Sequence, residues 1–313
     1  MKIGLIDVDG HRFPNLALMR IASFWKSHGA EVEWWLGDLF HYDIVYKSKV
    51  FSDAYSKDIP DPVNCDKLIK GGTGYAISLE NGVEHYSKEL DGELPQDIEI
   101  MPPDYSIYPE YDFAISMTSR GCPRGCPFCH VAPKEGRKSV KVADVEDFWQ
   151  GQKRIEVLDP NITACKDKHE LFMQYAETGA EVVFSQGLDI RLITEQDIAD
   201  LNTIKVRDLH FAWDNPKDDL KAKFEAFAKQ YQPQKKPSHG NKGMVYCLTN
   251  FDSTMDENLY RIYTLRDMGF DPYVMVYDKP HAPEEIKLLQ RWCNNKWIFR
   301  SCENFADYDR RLG

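Results

Sequence analysis

Apolar and polar residues alternate along the first hundred positions in the pattern of a small α/β unit. MKIGLIDVD is a short apolar strand, and NLALMRIASFWKSHG has apolar residues at helical spacing, with Gly29 as a suitable C-terminal cap. Three further strands are predicted at EVEWW, YDIVYKSKVF and DKLIKGG. This alternation is typical of a parallel sheet, so we predict a flavodoxin- or Rossmann-like unit over residues 1–100.

The second part of the chain repeats the alternation more regularly. A stretch rich in Pro, Asp and Tyr, from Leu94 to Tyr111, is predicted to be a linker. Six strand-like runs follow: FAISMTS, RIEVLD, EVVFSQG, DLHFAWD, GMVYCLTN and DPYVMVYD. Each is followed by a predicted helix, the first near VADVEDFWQGQ, or by the C-terminal tail. We therefore predict a partial (β/α)6 barrel over residues 101–280 and a helical tail over 281–313.

Charge and composition narrow the classes of function. The 313 residues include 50 acidic and 39 basic side chains, a formal net charge of −11, which argues against general binding to nucleic acid or anionic membranes. No apolar run is long enough for a membrane helix, and the acidic residues near the N-terminus do not suit a signal peptide. We expect a cytoplasmic protein, in which clustered cysteines indicate a metal site or catalysis.

Three of the eight cysteines lie in one loop, SRGCPRGCPFCHV. Cys122, Cys126 and Cys129 have C-x3-C-x2-C spacing, and three thiolates on one loop can hold three irons of a [4Fe–4S] cluster. The fourth iron would stay open to a small ligand. Gly121 and Gly125 favour a loop in which backbone amides approach the sulfurs.

Two other metal groups fit parts of the same loop. Cys126 to His130 form a C-x-x-C-H string, the pattern of haem c attachment, but that attachment takes place outside the cytosol. A zinc site would need a fourth ligand, which His130 offers. Neither alternative accounts for the barrel pattern directly behind the loop.

The loop resembles the signature of the radical S-adenosylmethionine (SAM) superfamily. That signature has the same cysteine spacing, an aromatic residue before the last cysteine (here Phe128) and a position after the first barrel strand. The resemblance covers roughly residues 112–280. It implies that the three cysteines bind a [4Fe–4S] cluster, that SAM chelates the open iron, and that reductive cleavage of SAM gives a 5′-deoxyadenosyl radical that abstracts hydrogen from a substrate. Phe128 would then pack near the adenine.

Polar residues after the barrel strands are the candidates for holding SAM. The resemblance assigns Asp159 and Asn161, after the second strand, to the methionine amino group. After the third strand, Arg191 suits the SAM carboxylate, and Gln186 and Asp189 suit the ribose hydroxyls. Residues after the later strands fit a binding role or a role in turns and helix caps: Asp214, Asn250, Asp252, Tyr277 and Asp278.

The N-terminal unit resembles the cobalamin-binding domain of one radical SAM subclass. That domain carries an Asp-x-His-x-x-Gly string and a later Gly-Gly turn. Asp9 and His11 match the string, Pro14 replaces its glycine, and Gly71-Gly72 stands for the turn. We favour a degenerate domain, so cobalamin is possible but less expected than its absence. GGTGY is alternatively a phosphate-binding loop.

Together these features predict a radical SAM enzyme that uses a [4Fe–4S] cluster and SAM. Its expected partners are a small-molecule, nucleotide or peptide substrate and an electron donor such as flavodoxin; the reaction is a methylation, a rearrangement or an insertion. The alternative is a non-enzymatic iron–sulfur redox sensor or interaction module. Cys293 and Cys302 form no second cluster motif and are interpreted as packing residues.

We predict that the protein, reconstituted anaerobically with iron and sulfide, is brown, and that changing all three loop cysteines to alanine abolishes the colour. Absorption spectra check this prediction. A sharp Soret band would indicate haem, and no visible absorbance would indicate zinc. Colour retained in the triple variant would refute the ligand assignment.

Overall fold

The computed structural model describes residues 1–81, 83–235 and 242–312 and divides them into two compact units. The first unit comprises Met1–Ser116, Phe128–Lys134 and Glu146–Gln150. The second comprises Met117–Pro127, Glu135–Val145 and the described chain from Gly151 onward. Within the described residues, no helix is both long enough and apolar enough to cross a membrane.

The first unit is built on a parallel four-stranded sheet. Its elements are β1 (Lys2–Asp7), α1 (Leu16–Ser27), β2 (Glu31–Trp34), β3 (Tyr42–Ser48) and β4 (Cys65–Gly71). The strands lie in the order β2-β1-β3-β4, so that the sheet has a switch point between β1 and β3. Asn15 caps α1 by accepting the Leu18 amide, and Gly29 follows the helix with φ +75°. The predicted parallel α/β sheet is confirmed.

The segment predicted as a linker is instead packed into the first unit. After an antiparallel pair, β5 (Ile77–Glu80) and β6 (Val83–Tyr86), come a short helix α2 (Gln96–Glu99) and strand β7 (Ala114–Ser116). Ile98, Ile107 and Tyr108 are buried, and the Tyr108 hydroxyl donates to Asp7 Oδ2 at 2.7 Å. Scattered apolar residues therefore anchor a stretch whose composition suggested a loop. The linker prediction is wrong.

The second unit alternates parallel strands with helices. It opens with a small antiparallel pair, β8 (Ser119–Arg120) and β9 (Val140–Lys141). Between them in the chain comes α3 (Val131–Glu135), whose residues up to Lys134 belong to the first unit. Its main elements are β10 (Arg154–Val157), α4 (Lys168–Thr178), β11 (Glu181–Leu188), α5 (Glu195–Thr203), β12 (Lys205–Ala212), α6 (Lys221–Gln230), β13 (Met244–Thr249), α7 (Met255–Asp267), β14 (Asp271–Val276), α8 (Glu284–Asn294) and α9 (Lys296–Ser301). Strands β10 to β14 pair with one another in chain order and in parallel.

The helix predicted near VADVEDFWQGQ does not form. The structure has a single 3-10 turn at Val145–Asp147 and places the helix earlier, at α3. The Gln174 side chain accepts the backbone N–H of Val145 at 2.9 Å, so a partner on α4 fixes the start of this segment. The six predicted strands all appear, as β7 and β10 to β14.

One face of the second unit's sheet packs on helices through aromatic rings. Phe211 of β12 contacts Phe224 and Phe227 of α6, with ring centroids 5.9 and 5.0 Å apart. At the far end Cys293 of α8 is fully buried in a cluster with Trp292, and Cys302 packs against that cluster. The structure gives both cysteines the packing role that the sequence indicated.

A buried arginine joins the carboxyl ends of two strands. Arg261 of α7 has no exposed surface and donates to the carbonyl oxygens of Trp213 and Asp214, after β12, and of Leu248 in β13 at 2.5, 2.9 and 2.9 Å. Burial lowers the pKa of its guanidinium from the ordinary value. The side chain thus holds together the edge of the sheet from which the site loops emerge.

We predict that Arg261→Met lowers the free energy of unfolding by about 3 kcal/mol, because it removes a buried donor from these carbonyl oxygens. Urea unfolding measures the change. Arg300→Met, at an exposed position on α9, is the control and should change stability by less than about 0.5 kcal/mol. Equal stability of the two variants would contradict the role of Arg261.

Candidate cluster-binding site

Close backbone packing shapes the start of the cysteine loop. Gly121 has φ +93°, and a Cβ there would lie 2.0 Å from the Lys138 carbonyl oxygen, so only glycine fits. The next amide, of Cys122, donates to the Gly136 carbonyl oxygen at 3.0 Å. The loop therefore leaves β8 along a path fixed by the chain that leads into β9.

The sulfurs of Cys122 and Cys126 accept hydrogen bonds from side chains of the second unit. The Asn161 amide nitrogen donates to Cys122 Sγ at 3.4 Å, and Arg124 Nε donates to Cys126 Sγ at 3.5 Å. Both cysteines are half-buried with free thiols. Donors at this range stabilise negative charge on sulfur, which is what a metal-bound thiolate carries. The donor set therefore fits an iron–sulfur cluster.

Both carboxylate oxygens of Asp159 accept hydrogen bonds from the start of the cysteine loop and the residue before it. Asp159 is 3% exposed and accepts four hydrogen bonds: from the backbone amides of Thr118 and Ser119 at 2.7 and 2.6 Å, and from their hydroxyls at 2.8 and 2.6 Å. Burial raises the pKa of Asp159 to about 6, although the four donors act in the opposite direction. These surroundings suit a support for the loop better than a contact with SAM.

The loop after β11 brings two more of the predicted SAM residues close to the cysteine loop. Asp189 accepts from the Arg191 backbone amide and from Arg191 Nε at 2.6 Å, and its own amide donates to Thr163 Oγ1 at 3.0 Å. Arg191 also donates to Asp218 Oδ2 at 2.8 Å, and the same oxygen lies 3.8 Å from a guanidinium nitrogen of Arg124. Asp189 and Arg191 are thus connected to the residue that binds Cys126.

Gln186 and Phe128 complete the set of predicted SAM residues. Gln186 is exposed at an irregularity in β11, next to Gly187 with φ +98°. Phe128 is half-buried and belongs, with Cys129, to the first unit.

Polar residues that follow β13 and β14 mainly form turns. Asn250, Asp252 and Asp278 have positive φ, and the Asn250 amide donates to the Tyr277 carbonyl oxygen at 2.8 Å. Asp214 accepts the Leu248 amide at 3.3 Å, and burial raises the pKa of its carboxyl. The turn-forming alternative therefore accounts for Asn250.

The motifs of the first unit are engaged in its own packing. The Asp9 carboxylate accepts the amides of Val50 and Phe51 at 2.6 and 3.4 Å, and the His11 ring packs on Trp34 with centroids 4.0 Å apart. The Asp9 carboxylate is therefore bonded to backbone amides of its own unit, and His11 packs there through its ring.

The Gly-Gly turn is explained by close packing of the backbone. A Cβ at Gly72 would lie 2.3 Å from the Lys49 carbonyl oxygen, and the Gly74 amide already donates to that oxygen at 2.9 Å. With this amide engaged inside the fold, the GGTGY loop is poorly suited to hold a phosphate.

Sequence reasoning missed the residues that connect the site, namely Arg124, Thr118, Ser119, Thr163 and Asp218. Arg124 had a signal, since it is a cation between two cysteines of the loop. Thr118 and Ser119, where the chain enters the loop, had none. Thr163 and Asp218 meet the site only through folding.

Two solved structures of TsrM, a radical S-adenosylmethionine methyltransferase from Kitasatospora setae, resemble this chain. The one with cobalamin and a [4Fe–4S] cluster bound gives a TM-score of 0.60 at 9% identity, covering 88% of this chain and 74% of that one. The one with tryptophan substrate and the SAM analogue aza-SAM gives 0.58 at 10% identity, covering 88% and 72%. The chain therefore shares the overall fold of these two structures. No protein-family model and no curated protein matches the sequence.

The raised pKa of Asp159 predicts a dependence of stability on pH. Its pKa is about 6 in the folded protein and about 4 in an unfolded chain. The folded state therefore binds the proton more tightly, and the stability that this group contributes is full below about pH 4 and is lost as the pH rises through 6. Asp159→Asn does not titrate, so the stability of the natural protein relative to this variant should fall by about 1 kcal/mol between pH 5 and 7.5.

Urea unfolding at several pH values checks this, with Asp219→Asn, at an exposed position, as the control that shows no such trend. If the stability of the natural protein relative to Asp159→Asn instead rises toward neutral pH, the four hydrogen bonds outweigh burial.

Proposed function

We propose that the protein is a radical SAM enzyme. The observation that carries the proposal is the cysteine loop itself, whose Cys122 and Cys126 are hydrogen-bonded to the side chains of Asn161 and Arg124. Asn161 follows β10, Asp189 follows β11, and these strands are parallel neighbours, so the loops emerge from one edge of the sheet. The coarse likeness to TsrM supports the same function.

In this proposal Cys122, Cys126 and Cys129 hold a [4Fe–4S] cluster, and SAM is the second cofactor. When bound, this pair supplies a 5′-deoxyadenosyl radical for hydrogen abstraction, the first step of a methylation, a rearrangement or an insertion. The polar side chains of Asp189 and Arg191 would orient the methionine and ribose groups, with Gln186 at the exposed edge and Phe128 beside the adenine, whereas the Asn161 side chain is bonded to Cys122 and Thr163. We reassign Asp159 to holding the loop, because its oxygens are already bonded.

Cobalamin is not part of the proposal. TsrM carries it, but in this chain the Asp9 carboxylate is bonded to backbone amides of the first unit and Pro14 replaces the glycine of the Asp-x-His-x-x-Gly string. The first unit is therefore proposed to be a degenerate relative of a cobalamin-binding domain.

A small molecule, nucleotide or peptide is the proposed substrate class, since the net charge of −11 disfavours general binding of nucleic acid. A flavodoxin-like protein is the proposed electron donor. The proposed compartment is the cytoplasm, where cysteine thiols stay reduced.

We predict that the reconstituted protein, given dithionite and SAM, forms 5′-deoxyadenosine slowly even without substrate. The product is measured by liquid chromatography and mass spectrometry. The variant with all three loop cysteines changed to alanine should form none, because the cluster that delivers the electron is lost. The double variant Cys65→Ala, Cys302→Ala is the matched control and should retain the activity, since both residues lie outside the loop.

If the protein binds a cluster but forms no 5′-deoxyadenosine, the proposal of an enzyme is overturned and an iron–sulfur redox sensor is favoured. Equal product from the triple variant and the control would refute the cysteine assignment.

A further inference from the structure

The hydrogen bonds to Cys122 Sγ and Cys126 Sγ have oriented donors. Thr163 Oγ1 accepts the Asp189 amide at 3.0 Å, so its only proton is available for Asn161 Oδ1 at 2.7 Å. With its oxygen facing that hydroxyl, the Asn161 amide must turn its NH2 group toward Cys122 Sγ. The Ser139 hydroxyl also donates to the backbone carbonyl oxygen of Asn161 at 3.0 Å, and Asn161 is only 4% exposed.

The second donor is held by charge. Arg124 points Nε at Cys126, while another of its nitrogens lies 3.8 Å from Asp218 Oδ2. Asp218 is fixed in turn by Arg191, at 2.8 Å, and Arg191 by Asp189, at 2.6 Å. A guanidinium between a carboxylate and a sulfur has one favoured orientation, because its donors lie in a rigid plane.

The two donors are the ends of one continuous set of contacts. This set, the sulfur-to-sulfur network, runs from Cys122 through Asn161, Thr163, Asp189, Arg191, Asp218 and Arg124 to Cys126. All its members belong to the second unit. Its middle residues, Asp189 and Arg191, are those proposed above to orient SAM.

We propose that Asn161 and Arg124 tune the reduction potential of the cluster, with Thr163 as a positioning residue that acts through Asn161. The inference rests on the proposed function, which puts the cluster on Cys122, Cys126 and Cys129. N–H donors to cysteine sulfur favour the form that carries one more electron and so raise the potential. Uptake of that electron takes the cluster from the 2+ to the 1+ state, and a one-electron donor of the flavodoxin class, or dithionite in the test, is oxidised.

The test is a redox titration of the reconstituted protein with dithionite, followed by the electron paramagnetic resonance signal of the reduced cluster. Arg124→Gln and Asn161→Leu should each lower the ratio of reduced to oxidised cluster at a fixed potential by about three- to tenfold, where tenfold is 59 mV for one electron. Iron and sulfide content should match the natural protein. Thr163→Val leaves both sulfur donors in place and should give a smaller shift in the same direction.

Lys138→Gln is the matched control, because it removes an equal charge from an exposed side chain of the segment that lies against the cysteine loop. It should leave the potential unchanged. Arg124→Lys keeps the charge but not the planar donor, so it should recover only part of the shift.

Two outcomes overturn the inference: unchanged potentials in Arg124→Gln and Asn161→Leu with iron fully bound, or an equal shift in Lys138→Gln. Should Arg124→Gln or Asn161→Leu lose iron, Thr163→Val decides the matter alone, and an unshifted potential there counts against the network. A natural protein that takes up no cluster would defeat the proposed function as well, whereas 5′-deoxyadenosine formation with unmoved potentials would defeat this inference only.

Discussion

The candidate site depends on one buried carboxylate. Asp159, which follows β10, accepts hydrogen bonds from the amides and hydroxyls of Thr118 and Ser119. The chain that enters the cysteine loop is therefore bonded to the segment after β10 before the first cysteine is reached. Four donors offset part of the loss of hydration at this buried carboxyl. Two residues later the same segment supplies Asn161 to Cys122, and so the position of that sulfur follows from the carboxylate beneath it.

Most elements of the fold could be predicted, because their signals are local. Helix α1 shows helical spacing of apolar residues within its own twelve residues, and β13 is a short apolar run. The stretch from Leu94 to Tyr111 could not be predicted, since the burial of Tyr108 depends on a partner, Asp7, that lies 101 positions earlier. Pro, Asp and Tyr indicate a loop only where no such partner exists.

The candidate site divides in the same way. The cysteine spacing is a property of eight consecutive residues and was visible in the sequence. Asp218 was not, because its contact with Arg191 spans 27 positions and joins two loops. Arg261 was predictable as a helix residue but not as a buried one. Its charge is typical of the exposed face of an amphipathic helix, yet the side chain is completely buried among backbone carbonyl groups. Sequence patterns report the period of a helix more reliably than the chemistry of its neighbours.

The turns that follow β13 and β14 limit what natural variation can reveal. Asn250, Asp252 and Asp278 have φ of 61°, 48° and 46°, a region that glycine, asparagine and aspartate enter at low energetic cost and that β-branched residues avoid. Relatives with this backbone are therefore confined to the same few residue types at these positions, whatever reaction they catalyse. Invariant Asn or Asp at these positions would reflect the positive φ of the main chain and would be weak evidence for a catalytic or binding role.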